Sequence, residues 1–236
     1  MPSGQLEPTP SAGRLSNKRR QRLDAAIRQI REYTAKHSEL RAAHHFCYDL
    51  PLCKDAGTPE VVVIGINPGE TARDRDAYLG PTEETWNHDF HEAAKSGPGP
   101  ARNNYHRNAR FFADGKAVVF TEFFLWSSGD SRVFRQRFGR LWRSPHLRFC
   151  IEMNRLLIEE YRPKSVIGVG VTLSRKIAAA FDLYHVNTLT CGGSRLVEHY
   201  RDQLRPWFFT KHWAGAYGFT NNQKHEIREY IRYRSA

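Results

Sequence analysis

Hydrophobic and polar positions along the chain follow two periods. The run Val61-Val62-Val63-Ile64-Gly65-Ile66 is short, continuous and rich in β-branched residues. Such a run predicts a strand buried on both faces. Asn67-Pro68-Gly69 follows it, where proline stops the strand and glycine permits a sharp turn. Comparable runs at 117–126, 165–169 and 207–210 predict three more strands. Helical periodicity covers 146–161, 172–181 and 223–233. Strands alternating with helices predict an α/β fold: a three-layer αβα sandwich around a central four-stranded, mainly parallel sheet. Ligands of such sheets bind at the carboxyl ends of the strands. Asn67, Glu122, Gly170 and His212 are therefore expected on one rim.

Patterning also divides the chain. Residues 1–17 are rich in Pro, Ser and Gly and read as a disordered tail. Residues 18–57 read as a basic helical extension, with a helix over 18–37 that carries Leu23, Ile27 and Ile30 on one face. This unit looks like an appendage to a main domain at 58–236. The stretch 70–108 is polar and contains the loop Ser96-Gly97-Pro98-Gly99-Pro100. Loops of this length in compact domains are often functional.

Composition narrows the class. With 236 residues, 40% of them hydrophobic, the chain can bury a large core without disulfides. It has no apolar run of membrane-spanning length and no apolar segment of secretory type at its start. A cytoplasmic location is expected, on the nucleoid if the cell is prokaryotic, and no membrane partner. The net charge of +11 favours a polyanionic partner. Arginines interleave with aromatics in Arg132-Val133-Phe134-Arg135 and Arg137-Phe138-Gly139-Arg140-Leu141-Trp142-Arg143. That mixture suits phosphate and base contacts, so Arg135 and Arg137 are candidate DNA contacts. A merely solvated basic surface is the alternative.

Residues 63–69, Val-Ile-Gly-Ile-Asn-Pro-Gly, resemble the first active-site motif of the uracil-DNA glycosylase superfamily. The match is closest to the Gly-x-Asn-Pro-Gly form of the mismatch-specific, thymine-DNA and single-strand-selective branches. The order of motifs extends the resemblance over roughly residues 58 to 235. It implies a uracil-DNA glycosylase-like fold and a monofunctional enzyme, since no lysine follows the family's bifunctional pattern. By position, Asn67 inherits the role of holding the attacking water, within a base pocket that includes Gly65, Ile66, Pro68 and Gly69. Breaking a glycosidic bond builds positive charge on the sugar and negative charge on the base, so the site needs a placed water and donors for the base.

The second family motif begins with histidine after the last strand. Here it reads Lys211-His212-Trp213-Ala214-Gly215-Ala216-Tyr217-Gly218-Phe219, with Trp-Ala in place of the usual Pro-Ser. The resemblance makes His212 a donor to the base carbonyl. It makes Lys211, Gly215, Tyr217 and Phe219 parts of a loop that wedges into DNA. Packing of Trp213, Tyr217 and Phe219 in the core is the alternative. Gly170-Val171-Thr172 lies where relatives have a phosphate loop at a helix N-terminus.

Two positions bear on the base. Uracil-only relatives place a blocking Tyr after the motif's Pro; here that residue is Gly69, so a substituent at pyrimidine C5 is tolerated. Relatives read uracil with an Asn in strand two, and alignment puts Glu122 there. A carboxylate accepts from the cytosine amine and repels uracil O4; protonated, it also donates to cytosine N3. The pair points to a 5-substituted cytosine, as found in some phage DNA, and so to host defence. Uracil or mismatched-thymine repair, an inactive DNA- or nucleotide-binding module, and a Glu122 that merely pairs with an arginine stay open. Tyr78, Trp86, Phe90 and Tyr105 are candidates to stack on the base.

Some relatives carry a [4Fe–4S] cluster. Here Cys47 and Cys53 are spaced Cys-x5-Cys and Trp126 occupies the neighbourhood of the third ligand. Cys150 shares an apolar face with Leu147, Ile151, Ile158 and Tyr161, so buried thiols are expected. No metal or other cofactor is expected, and the protein is expected to act as a monomer.

Overall fold

The computed structural model describes residues 16–43, 45–51, 59–67, 69, 104–213 and 219–235; of residues 104–106 it describes the backbone alone. In chain order the elements are α1 (Asn17–Lys36), α2 (Ser38–Arg41), β1 (Leu50–Pro51), β2 (Val61–Gly65), α3 (Asn104–Phe112), β3 (Val118–Glu122), α4 (Ser131–Phe138), a 3-10 turn (Leu141–Arg143), α5 (Leu147–Tyr161), β4 (Ser165–Val169), α6 (Ser174–Ala180), β5 (Tyr184–Cys191), β6 (Ser194–Arg201), β7 (Pro206–Thr210) and α7 (Asn221–Arg234). Among the described residues no helix is long and apolar enough to cross a membrane.

The strands form one mixed sheet in the order β1-β3-β2-β4-β7-β6-β5. β1 adds only a two-residue antiparallel edge, so the sheet proper has six strands. β3, β2, β4 and β7 are the four strands expected from sequence, and they run parallel. The expected four-stranded sheet is too narrow, because the antiparallel hairpin β5–β6 extends it beyond β7. β5 is largely exposed, so its residues lack the continuous apolar signature of a buried strand. The hairpin turns on Gly192 and Gly193, whose φ angles of +55° and +76° suit a tight two-residue turn.

Each parallel strand buries both faces because successive side chains point to opposite layers. Val62, Ile64, Val119, Val166 and Phe209 pack with Leu23 and Ile30 of α1, Phe134 of α4, Leu157 of α5 and Ile177 of α6. Val61, Val63, Val118, Phe120, Ile167 and Phe208 pack with Phe112 of α3 and Ile227 and Ile231 of α7. Helices thus cover both faces.

α1, expected as part of an extension, is built into the first of these layers. Leu23 and Ile30 are fully buried there, and Ala26 nearly so. Thr34 accepts a hydrogen bond from Trp126 Nε1 at 2.9 Å, and Arg20 pairs with the buried Asp49 at 3.0 Å. Ile27 is only partly buried. We expect Ile30→Ala to destabilise the protein by about 2–5 kcal/mol, the usual cost of truncating a buried aliphatic side chain. Urea unfolding checks this; a change near zero would mean that α1 docks without contributing to the core.

Candidate functional site at the carboxyl rim of the parallel strands

β2 and β3 pair in parallel register with Gly65 opposite Glu122. Alternation along the strands sends Val61, Val63, Val118 and Phe120 into the layer of α3 and α7, so the Glu122 side chain and the open side of Gly65 share that face. The two positions are mutually exclusive for side chains: a Cβ added at Gly65 falls 2.0 Å from Glu122 Oε2. The missing side chain of Gly65 is the space that the carboxyl occupies.

Glu122 is buried, with 4% of its surface exposed. No described group hydrogen-bonds its Oε2, and no described arginine pairs with it. Burial alone pushes this carboxyl well above its ordinary value. Burial therefore favours the protonated carboxyl, which carries one O–H donor and one carbonyl acceptor. In that form a carboxyl does not repel a carbonyl oxygen such as uracil O4.

The backbone beneath the acid is pinned. Asn154 of α5 donates from Nδ2 to the Glu122 carbonyl at 2.9 Å and to the Cys150 carbonyl at 3.0 Å. Its Oδ1 accepts from Thr121 Oγ1 at 2.9 Å. After Glu122 the chain leaves the strand but stays along β2: Phe123 and Phe124 donate to the carbonyls of Gly65 and Ile66, both at 2.9 Å. β3 is thus shorter than the expected run over 117–126.

The path ends at Ser128, which is buried and meets the first motif twice. Ser128 Oγ accepts from Asn67 Nδ2 at 2.9 Å, and Ser128 forms a β-bridge with Gly69. With its nitrogen committed to Ser128, the amide of Asn67 is fixed in orientation, and its oxygen is a pure acceptor. Arg137 of α4 donates to the Ser127 carbonyl at 3.4 Å, which brings the arginine-rich helix beside the Asn67 loop. Arg135 is exposed on the same helix. Gly69 is exposed, and an added Cβ there meets nothing described within 4 Å.

On the neighbouring strands, Ile66 lies against Gly170, where a Cβ would come 2.9 Å from Ile66 Cδ1 and φ is +104°. The backbone conformation favours glycine there, and a side chain would also push the Ile66 methyl aside. The expected phosphate loop is corrected by its hydrogen bonds. Gly170 N and Val171 N both donate to the Thr210 carbonyl, at 2.8 and 3.0 Å, and are not directed at a ligand. Residues 171–173 form turns, and α6 begins only at Ser174. Thr172 is exposed and Val171 buried.

Past β7, Lys211 N donates to the Leu196 carbonyl and continues the pairing with β6, while His212 is exposed at the rim. Trp213 is core: it is 3% exposed, and Nε1 donates to Thr210 Oγ1 at 2.6 Å. Phe219 packs partly buried, with its ring 5.8 Å from that of Phe112, so it is not a free wedge. Small neighbours in the sequence do not keep these rings in solvent, because α3 offers an apolar surface beneath them. Pro68, Tyr78, Trp86, Phe90, Gly215 and Tyr217, and the side chain of Tyr105, lie outside the described residues.

The structure thus joins Gly65, Ile66, Asn67, Gly69 and Glu122 in one corner, with Gly170 against Ile66. Sequence reasoning missed Ser128 and Asn154, which hold two of these groups. Both left a signal: Asn154 is polar on the apolar face of α5, and Ser127-Ser128 directly follow an apolar run. Cys47 and Cys150 are buried thiols, and burial pushes Cys150 up to about 12. No protein-family model matches the chain, and no curated protein sequence does.

The upward shift of this acid sets a pH dependence. In the native state Glu122 keeps its proton to higher pH than in the unfolded chain. Its effect is absent below the unfolded carboxyl value and grows unfavourable as pH rises through the interval up to the folded value. Within that interval stability falls by up to about 1.4 kcal/mol per pH unit for one proton. We expect Glu122→Gln to remove this slope in urea titrations above the ordinary carboxyl range. Equal slopes in both proteins would mean that Glu122 ionises freely in the fold.

Proposed function

We propose that this protein is a monofunctional DNA glycosylase that flips a pyrimidine from DNA and hydrolyses its N-glycosidic bond, leaving an abasic site. The observation that carries the reading is a buried Glu122, its protonated form favoured by burial, opposite Gly65, which lies two residues along the chain from Asn67, whose amide donates to Ser128. The resemblance of the Asn67 loop to the uracil-DNA glycosylase motif supplies the reaction, and the +11 charge with Arg135 and Arg137 near the rim supports DNA as the partner. In this reading the four parallel strands are the glycosylase sheet, and β5–β6 is an addition at its edge.

Asn67 holds the attacking water through its amide oxygen, on the sugar side of the bond. Asn is a poor base, so the barrier falls mainly through stabilisation of the departing base. Here the substrate matters. Uracil spreads departing charge over two carbonyls; cytosine has one and leaves poorly unless it gains a proton or a strong donor. Glu122 in its protonated form donates to cytosine N3 while its carbonyl oxygen accepts from the exocyclic amine. A carboxyl kept neutral by an apolar site so that it donates is an established catalytic device. His212 donates to the base carbonyl. Gly69 leaves room for a group on C5, so a 5-substituted cytosine is the favoured substrate and removal of modified phage DNA the favoured use.

One observation favours a second reading. A neutral carboxyl also donates to O4 and accepts from N3–H, which fits uracil or mismatched thymine in repair. Glu122→Asn separates the two. An amide supports uracil but cannot protonate cytosine, so we expect it to lower excision of 5-substituted cytosine at least 10-fold relative to uracil. An unchanged base profile would remove Glu122 from base selection. We expect Asn67→Ala to lower excision by roughly 10²-fold or more, on the scale of losing a key polar group in such a site, with DNA binding retained. Full excision by this variant, read by abasic-site formation, rules out the mechanism. Binding without excision by the unaltered protein identifies it instead as a binding module.

A further inference from the structure

Away from the rim, the elbow between α1 and α2 meets the start of α5. His37 caps the end of α1 and precedes α2, Glu39 lies in the first turn of α2, and His146 precedes α5. His146 Nε2 lies 3.0 Å from Glu39 Oε1, and His37 Nδ1 lies 3.8 Å from the same oxygen. One ligand atom from each of the three residues falls within 4.8 Å of the others.

We propose that His37, Glu39 and His146 form a binding site for a divalent transition-metal ion, zinc first among them. His37 Nδ1, a Glu39 carboxylate oxygen and His146 Nε2 are its three protein ligands.

Geometry carries the assignment. Zinc bonds to nitrogen and oxygen of about 2.0–2.1 Å at tetrahedral angles separate ligand atoms by roughly 3.4 Å. The two separations to Glu39 Oε1 bracket that value, so small side-chain rotations admit an ion. Two histidines and one carboxylate are a recurring zinc set that leaves the fourth position for water. Imidazole also suits copper and nickel.

His146 is prepared as a ligand. It is 1% exposed, so its ring is held by packing. Its other nitrogen, Nδ1, lies 3.2 Å from Tyr33 Oη. Metal-bound histidines commonly hold their second nitrogen in a hydrogen bond that fixes ring orientation and tautomer. Without metal, Nε2–H donates to Glu39 and Nδ1 accepts from Tyr33. With metal, the ring takes the other neutral tautomer and Nδ1–H donates to Tyr33 Oη. Tyr33 is itself fixed by stacking on Phe149, with ring centroids 3.9 Å apart.

The site shares no residue with the base-release corner, so it stands or falls independently of the glycosylase reading. An ion there cross-links α1, α2 and α5. In sequence, His37-x-Glu39 is unremarkable alone, and the third ligand lies 107 residues from Glu39, so the set appears only on folding.

The test uses the full chain without an affinity tag, stripped with a chelator and dialysed against zinc alone or cobalt(II) alone. We expect one metal per chain by elemental analysis. Visible ligand-field bands of tetrahedral or five-coordinate cobalt should appear, with a rise in Tm. His37→Ala and Glu39→Gln alter half-exposed side chains, so both should fold; each should lose stoichiometric uptake and the cobalt bands. Tyr33→Phe should weaken binding about 10-fold or more, as loss of a ligand's supporting partner does. Uptake by the unaltered chain that is far below one equivalent overturns the site. So does uptake that persists in His37→Ala and Glu39→Gln, and in that case the three residues are a hydrogen-bonded clasp only.

Discussion

A carboxyl group whose Oε2 has no partner among the described residues, set in the space left by a missing side chain, is the constraint around which the rim is built. The β2–β3 register places Gly65 opposite Glu122, and any side chain at 65 would displace the acid. Burial of a carboxylate is costly, and that cost pushes Glu122 well above its ordinary value. A strand end that only needed to be stable would hold an apolar residue or a paired acid at this point. Here Glu122 Oε2 has no hydrogen-bond partner among the described residues.

The neighbouring groups follow from the same strand ends. Asn154 reaches up from α5 to hold the Glu122 backbone. The chain after β3 continues along the edge of β2 and delivers Ser128 to Asn67. Ile66 closes the corner against Gly170, and the two N–H groups after β4 close onto Thr210 at the end of β7. Acid, amide and glycines thus share one hydrogen-bonded frame, so their mutual positions do not depend on a single loop.

Much of this was legible in the chain. The β-branched runs announced β2 and β4, because strands buried on both faces leave no other pattern. Asn67, Glu122 and Gly170 followed from the rule that parallel sheets bind ligands at their carboxyl ends. The hairpin β5–β6 escaped because its outer strand is exposed, although Gly192-Gly193 marked its turn. The supporting contacts escaped for a different reason. Ser128 meets Asn67 across 61 residues and Asn154 meets Glu122 across 32, and such pairings arise only when strands and helices are set side by side. The upward shift of Glu122 was likewise invisible, since burial causes it. Trp213 and Phe219 misled because a run of small residues suggests an exposed loop, whereas α3 provides the apolar surface that holds both rings.

Within the proposed glycosylase reading, an ionised Glu122 would select cytosine by excluding uracil, and a protonated one by helping the poorer leaving group depart; burial favours the protonated form. The most direct measurement is abasic-site formation by the unaltered protein on matched oligonucleotides containing cytosine, a 5-substituted cytosine, uracil or thymine opposite guanine. The account predicts abasic sites in the 5-substituted cytosine strand, with cleavage only after alkali. Intact strands for every base, under conditions where the protein binds the same DNA, would contradict it.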